Sequence, residues 1–395
     1  MRLTRLYPFV LAAFAMAALL PGPATAAATV TQVAAGLDNP RGIGFVDGRM
    51  VVAEAGHGGP ACYTVPNGPP FPFCVGNTSQ VSWVNATTGA HEPLVKGLFS
   101  ISLGPEGVLG ASGLSVSNGK IRVVLGFTPQ EAPPTITIAQ EQAGHLLSIN
   151  PSTGKWRSLA SVGENDFNYT LQFPLPTPGE VSPGTQEHDA NPYGVLAMSN
   201  GTYVADAGAN TLDWVGNDGK ITILHHFDWR DPNPNNFPND AVPTCVARAG
   251  GALWIGDLSG HLYRIAGDEV TQVVPKDDSG ALLTHVTGCT TDSKGNLYLV
   301  NMFGPGIPFT SPSFFVGNVV KYQTHGGGAS VLAGNLNFPN MAAIGPDGNL
   351  YVTAGSLCDA AGTSPAPPGA PNPCVGGGTV LRISLPHDDN GNHQG

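Results

Sequence analysis

Four polar residues stand at the same place in a recurring hairpin: Glu54, Asp206, Asp257 and Asn301 occupy position four of the second-strand pattern. The lead-ins to the first strands add Asn39, His188, Asp189, Asn191, Asp240, His285 and Asn340. Carboxylates, amides and imidazoles that converge on one spot can hold a divalent cation through oxygen and nitrogen. Such a cation could polarise a carbonyl or activate water. The metal reading therefore names Glu54, Asp206, Asp257, Asn301 and His285 as ligands of calcium or magnesium at a channel mouth. Its catalytic counterpart names His188, Asp189 and Asp206. A competing role needs no chemistry: Asp and Asn beside glycine turns hydrogen-bond backbone amides, which suits Asp206 and Asn210. His57, on a Gly-rich loop, is a weaker candidate than His188–Asp189.

The elements that must position these residues are short strands. Gly 53 and Pro 36 in 395 residues, with only 11% charged residues and 41% hydrophobic ones, describe apolar segments punctuated by turns. One pattern recurs six times, as in PRGIGFVDGRMVVAEAG from Pro40, NPYGVLAMSNGTYVADAG from Asn191 and FPNMAAIGPDGNLYVTAGS from Phe338. The turn glycines are Gly48, Gly119, Gly201, Gly251, Gly295 and Gly348. Asp-Gly and Asn-Gly before β-branched or aromatic runs signal two-residue hairpins. A second hairpin follows each pair, as in TLDWVGNDGKITILHHF. Four strands per repeat of this length read as a propeller blade, so the fold class is all-β, a six-bladed β-propeller of four-stranded antiparallel blades. The sixth repeat stops after GTVLRIS, Gly378 to Ser384, and TVTQVAAGL, Thr29 to Leu37, supplies its missing strand. Pairing the two ends closes the ring and removes two open edges.

The motifs GLDNPRGIGF…VVAEAGHGG, NPYGVLA…YVADAGAN and AVPTCVARAGGALWIGDLSG resemble the ScyD/ScyE family of exported β-propeller proteins, with NHL-like repeats, over nearly the whole mature chain. Cys245 and Cys289 depart from its usual pattern. The resemblance implies a fold and an exported binding or scaffold protein, and it carries no catalytic residues. Six-bladed lactonases are similar in outline, so the alternative is a metal-dependent hydrolase, lactonase or lyase acting at the top of the central channel.

Residues 1–26 read as a signal peptide: Arg2 and Arg5, an apolar run, then Ala24-Thr25-Ala26. The propeller is expected over 27–385 and a disordered tail over 386–395. No segment is long enough for a membrane span, so the protein is expected to be secreted, extracellular or periplasmic. The net charge of −11, more negative still without the leader, excludes nucleic acid as a ready partner. A monomer that binds a small molecule or protein is expected.

Propeller geometry puts the loops after second strands, and the connectors between blades, on one face, here called the top. All long segments fall there, which is where a rigid scaffold carries its binding sites. Aromatics on stiff Pro-rich loops, Phe71 and Phe73 in FPF and Phe314 and Phe315 in IPFTSPSFF, are the candidate ligand-binding residues. The six cysteines of an exported chain favour disulfides. Cys62 and Cys74 bracket one top loop, Cys358 and Cys374 another, and Cys245 and Cys289 sit at equivalent positions of neighbouring first strands, as a bridge or as two buried thiols.

Overall fold

The computed structural model describes residues 28–65, 68–177, 184–228, 240–304, 316–363 and 372–386. The proposed leader, Phe314, Phe315 and the tail beyond 386 lie outside the described residues.

Six antiparallel sheets are arranged as the blades of a propeller. Blade 1 is built on Pro40–Val46, Arg49–Glu54, Phe73–Val84 and His91–Ser102. Blade 2 uses Ala111–Ser117, Lys120–Leu125, His145–Ile149 and Trp156–Ser161. Blade 3 uses Pro192–Ala197, Gly201–Asp206, Thr211–Gly216 and Ile221–His226. Blade 4 uses Pro243–Ala249, Ala252–Asp257, Leu262–Ala266 and Glu269–Val273. Blade 5 uses Val286–Thr291, Asn296–Asn301, Val316–Gln323 and Ala329–Asn337. Blade 6 joins Ala342–Ile344, Leu350–Ala354 and Gly378–Ile383 to the N-terminal strand Val30–Leu37. Val30 lies opposite Ile383 and Leu37 opposite Gly378, so the ring is closed by its two ends.

Apolar side chains fill the space between neighbouring sheets. Val51, Val81, Ile121, Val123 and Leu147 belong to one such layer, shared by blades 1 and 2, and all are fully buried. The bottom turns are tight because their residues tolerate left-handed backbone: Asp47 and Gly48 have φ of 49° and 80°, Asn118 and Gly119 50° and 64°.

The first strands crowd the axis. A side-chain carbon on Gly113 would lie 2.3 Å from the Tyr193 carbonyl oxygen of the next blade, and one on Gly288 2.3 Å from that of Asn340. Glycine at this position lets adjacent blades touch backbone to backbone. Blade 4 has Cys245 there instead, and it is bridged to Cys289 of blade 5 with Cα atoms 5.7 Å apart. The other bridges are Cys62–Cys74 and Cys358–Cys374, and no described cysteine is free.

Two of the long top-face segments contain helices, Thr137–Gln142 and Val162–Thr170. Among the described residues no helix is long and apolar enough to cross a membrane.

Candidate functional site

The first-strand pairing slips once near the top in blades 1 to 5, between Pro40 and Ile43, Ala111 and Leu114, Pro192 and Gly194, Pro243 and Cys245, and Val286 and Gly288. A bulge re-aims the side chain it carries. In blades 1 and 3 that side chain is Arg41 and Tyr193. Arg41 Nη1 donates to Tyr193 Oη at 3.0 Å, and Asn340 Nδ2 of blade 6 donates to the same oxygen at 2.7 Å. Arg41 Nη2 donates to the Val108 carbonyl at 2.7 Å. All three side chains are buried. Below them the axis keeps a cavity of about 30 Å³, lined by Ile43, Leu114, Val195, Val246 and Met341. The channel is thus plugged at its mouth by a polar girdle and is otherwise apolar.

The residues expected to form a metal ring lie at the tops of four blades, with Asn301 and His285 both in blade 5. Glu54 accepts from the Asp38 N–H and from Gln80 Nε2, both at 2.8 Å, and from Ser82 Oγ. Asp257 accepts from the His261 N–H at 2.7 Å and from His261 Nδ1 at 2.8 Å. Asn301 donates to the Leu282 carbonyl and to Asn318 Oδ1, and accepts from the Thr284 N–H. His285 is buried edge-on to Phe303, and desolvation lowers its pKa to about 4. Glu54, Asp257 and Asn301 thus spend their hydrogen bonds on neighbouring strands and turns. Among the described residues no group of three or more His, Cys, Asp or Glu side chains is arranged to hold a metal. The residues present do not fit a channel-mouth cation, and no step below is routed through one.

Asp206 differs from its counterparts. Its Oδ1 accepts the N–H groups of Asn191, Gly208 and Ala209 at 2.7, 2.9 and 2.9 Å, the turn-holding role that Asp beside glycine usually has. Its Oδ2 is buried, and no N–H or hydroxyl group donates to it. The Asp166 carboxyl, carried in by helix Val162–Thr170, is in hydrogen-bond contact with both Asp206 and Asp213. Three buried carboxyls in contact cannot all be ionised. Desolvation, then mutual repulsion, drives Asp166 and Asp206 well above the ordinary carboxylate range, and burial first of all pushes Asp213 up to about 7.

This acidic ground extends towards blades 2 and 4. Burial first, then the Asp189 carboxylate, raises Glu131. Burial likewise raises Asp189, against the opposing hydrogen bond from the Ala190 N–H. Asp240, pushed up by burial to about 7, accepts from Asn210 Nδ2. Among the described residues no lysine or arginine forms an ion pair with any of these acids. Asp189 and Asp206 therefore share one acidic region. His188, although adjacent in sequence, turns its Nε2 to the Phe173 carbonyl at 3.1 Å. Sequence reasoning missed Asp166, Asp213 and Glu131: Asp166 comes from a helix and Glu131 from a short 3-10 turn within long top-face segments, and Asp213 from the third strand of blade 3.

On the other side of the top face, blade 1 is raised into a wall. Its two outer strands run for twelve residues each, and Ala61–Tyr63 and Val108–Leu109 pair with their upper ends. Phe73 packs edge-on to Tyr63 at 5.9 Å, and Phe71 lies half-buried 6.4 Å from Phe73 and against Gly104. Facing this wall across a cleft of about 280 Å³ are Leu357 and Asp359 of blade 6. His57, with its ring bonded to Asp38, lines the same cleft.

Solved propellers share this fold. A Bacteroides thetaiotaomicron structural-genomics protein of unknown function matches with a TM-score of 0.53 at 10% identity, over 91% of this chain and 76% of that one. A luciferin-regenerating enzyme matches with 0.51 at 11% identity, over 91% and 95%. Regucalcin, a calcium-binding protein from Agrobacterium tumefaciens, matches with 0.49 at 14% identity, over 91% and 94%. At these identities the likeness is one of fold alone. A scan against protein-family models finds no match, and neither does a search of curated proteins.

Proposed function

We propose that this chain is an exported propeller of the ScyD/ScyE type, a family without established catalysis, that binds a small molecule or partner protein through its top face as a monomer. The observation that carries the reading is the asymmetry of the two faces. The raised wall of blade 1, both α-helices and the two loop-clamping disulfides lie on top, while the bottom turns have minimal length. A scaffold that needs only stability has no reason to lengthen one face. The three disulfides are consistent with an extracellular or periplasmic setting.

The test is capture of a partner from the culture medium or envelope extract by the mature protein. Changing Phe71, Phe73, Phe314 and Phe315 together to Ser is expected to abolish capture, and changing the bottom residues Lys120 and Lys294 to Ser to leave it intact. The opposite result rejects the face assignment. Melting temperature is recorded with each variant, since a fully buried aromatic ring contributes roughly 2–3 kcal/mol. The alternative, a metal-dependent hydrolase, lactonase or lyase at the channel mouth, requires calcium or magnesium in stoichiometric amount. Metal analysis of the purified protein decides it.

A further inference from the structure

His57 and Asp38 form a pair with the build of a catalytic base. His57 Nδ1 lies 2.6 Å from Asp38 Oδ2. A carboxylate only accepts, so the proton sits on Nδ1 and the Nε2 lone pair is left for another group. The His57 side chain is 57% exposed and that of Asp38 11%. The orienting carboxylate is sheltered while the imidazole reaches into the cleft.

The segment that carries His57 is held on every side. Its N–H donates to Thr78 Oγ1 at 2.9 Å, Thr78 Oγ1 donates to the Gly58 carbonyl at 2.9 Å, and the Gly58 N–H donates to Ser100 Oγ at 3.0 Å. Gly56 and Gly58 have φ of 76° and 74°, and a side-chain carbon on either would lie within 2.6 Å of blade 1's outer strands. The sequence Gly-His-Gly is what this backbone path allows. On the other partner, Asn39 Nδ2 donates to the Gly56 carbonyl at 2.8 Å, and the Asn39 N–H donates to the Cys358 carbonyl at 2.8 Å. Cys358 and Cys74 each belong to a disulfide, so bridged loops frame the cleft from both sides. A base held this rigidly by its surroundings is preorganised for proton transfer.

The lining selects the substrate class. Pro105, Val108 and Leu357 offer apolar surface, and Asn39, Ser102 and Thr363 offer polar groups. Asp359 in the lining and Asp38 behind His57 supply negative charge, and among the described residues no lysine or arginine lines the cleft. An anion is disfavoured, and the volume of about 280 Å³ admits only a small molecule.

We propose that Asp38 and His57 act as a general-base pair that hydrolyses small uncharged esters bound in this cleft. Nε2 takes a proton from water as the water oxygen bonds to the acyl carbon. The tetrahedral adduct then collapses, the acyl C–O bond breaks, and the imidazolium returns the proton to the departing oxygen. Asp38 is a positioning residue, holding the imidazole in the tautomer that leaves Nε2 free.

The probe is 4-nitrophenyl acetate with the mature full chain. The wild type is expected to release 4-nitrophenolate, and His57→Ala to lose on the order of 10²-fold in rate. Free imidazole added to His57→Ala should restore part of the rate beyond the hydrolysis that the same imidazole gives without protein, which a structural role would not produce. Asp38→Asn should fall between the two. His57→Gln, which keeps a polar side chain in the loop, guards against loss of fold and should be as slow as His57→Ala at an unchanged melting temperature. Equal rates for the wild type and both His57 variants, or no hydrolysis above buffer, would overturn the proposal.

Discussion

Blades 1 and 4 stand opposite each other in the ring, and each carries an aspartate bonded to a histidine at its top. In blade 4 the two residues are Asp257 and His261, four apart across one turn, with side-chain exposures of 0% and 17%. Asp257 uses both oxygens on the same residue, one on its N–H and one on its ring. In blade 1 the partners come from two segments nineteen residues apart, and the imidazole ends 57% exposed beside a cleft. The disulfides repeat the contrast. Cys245–Cys289 ties the first strand of blade 4 to that of blade 5, whereas Cys62–Cys74 clamps a loop on the wall of blade 1. The same pair of side chains is a turn-builder when local and enclosed, and a reactive group when assembled from afar and left open. Surroundings decide between them, not residue type.

The largest expected effect tests the disulfide half of this contrast. Replacing Cys245 and Cys289 together by Ala should lower the unfolding free energy by about 4 kcal/mol, from the 44-residue separation that the bridge closes. The same change at Cys62 and Cys74, separated by 12 residues, should cost about 3 kcal/mol. Guanidinium unfolding checks both, and a larger loss at Cys62–Cys74 would break the comparison.

Next comes the pair itself. Asp257→Ala leaves the part-buried N–H and ring nitrogen of His261 without an acceptor and should cost about 2 kcal/mol. Asp38→Ala removes a partner from an exposed imidazole and should cost about 1 kcal/mol or less. Equal losses would make the blade 1 pair structural too.

The smallest effect concerns carboxyls that have no imidazole at all. Asp166, Asp206, Asp213 and Asp240 have folded pKa values raised above the ordinary range, chiefly by burial. Glu131, Asp189 and Glu187 adjoin them. Stability from such groups is full below the unfolded pKa of about 4 and is lost as pH rises through the folded values, near 7 for Asp213 and Asp240. Melting temperature should therefore drop by a few degrees between pH 5 and pH 8. Asp347, lowered to about 2 with hydrogen bonds to Asn349 and Arg382, works in the opposite sense, but only in strong acid. Asp166→Asn should flatten the slope; a profile as steep as that of the wild type would show that the blade 3 carboxyls are not its source.

The blades were legible because strand periodicity and Asp-Gly or Asn-Gly turns are local properties: Asp47-Gly48 sets its hairpin whatever surrounds it. The seam was legible because two incomplete ends complement each other, and the Cys245–Cys289 bridge because both residues fall on neighbouring first strands, although the pairing register sets Cys245 level with Gly288 and Cys289 one residue further on. The site was less so. His188 and Asp189 attract notice by adjacency, yet successive side chains there point apart, to Phe173 and to Glu131. Asp38 and His57 meet only because a hairpin intervenes and the loop returns, and nothing in either residue's neighbours announces the other. Asp166 lies on a helix too short and too weakly amphipathic to stand out. Long-range placement on loops is a tertiary property, and one sequence read locally does not hold it.

The seam between Val30–Leu37 and Gly378–Ile383 joins residues near both ends of the described chain: the Thr29 N–H donates to Ser384 Oγ at 2.8 Å and the Ser384 N–H to the Thr29 carbonyl at 2.9 Å. Topologically the molecule is nearly a circle, and the point at which the polypeptide begins is a choice made elsewhere than in the packing. A short linker from 385 to 28, with new ends cut between Asn118 and Gly119, would keep every blade-to-blade contact while making blade 6 continuous and blade 2 the divided one. Moving the opening from blade to blade in this way would turn the order of the repeats into an experimental variable.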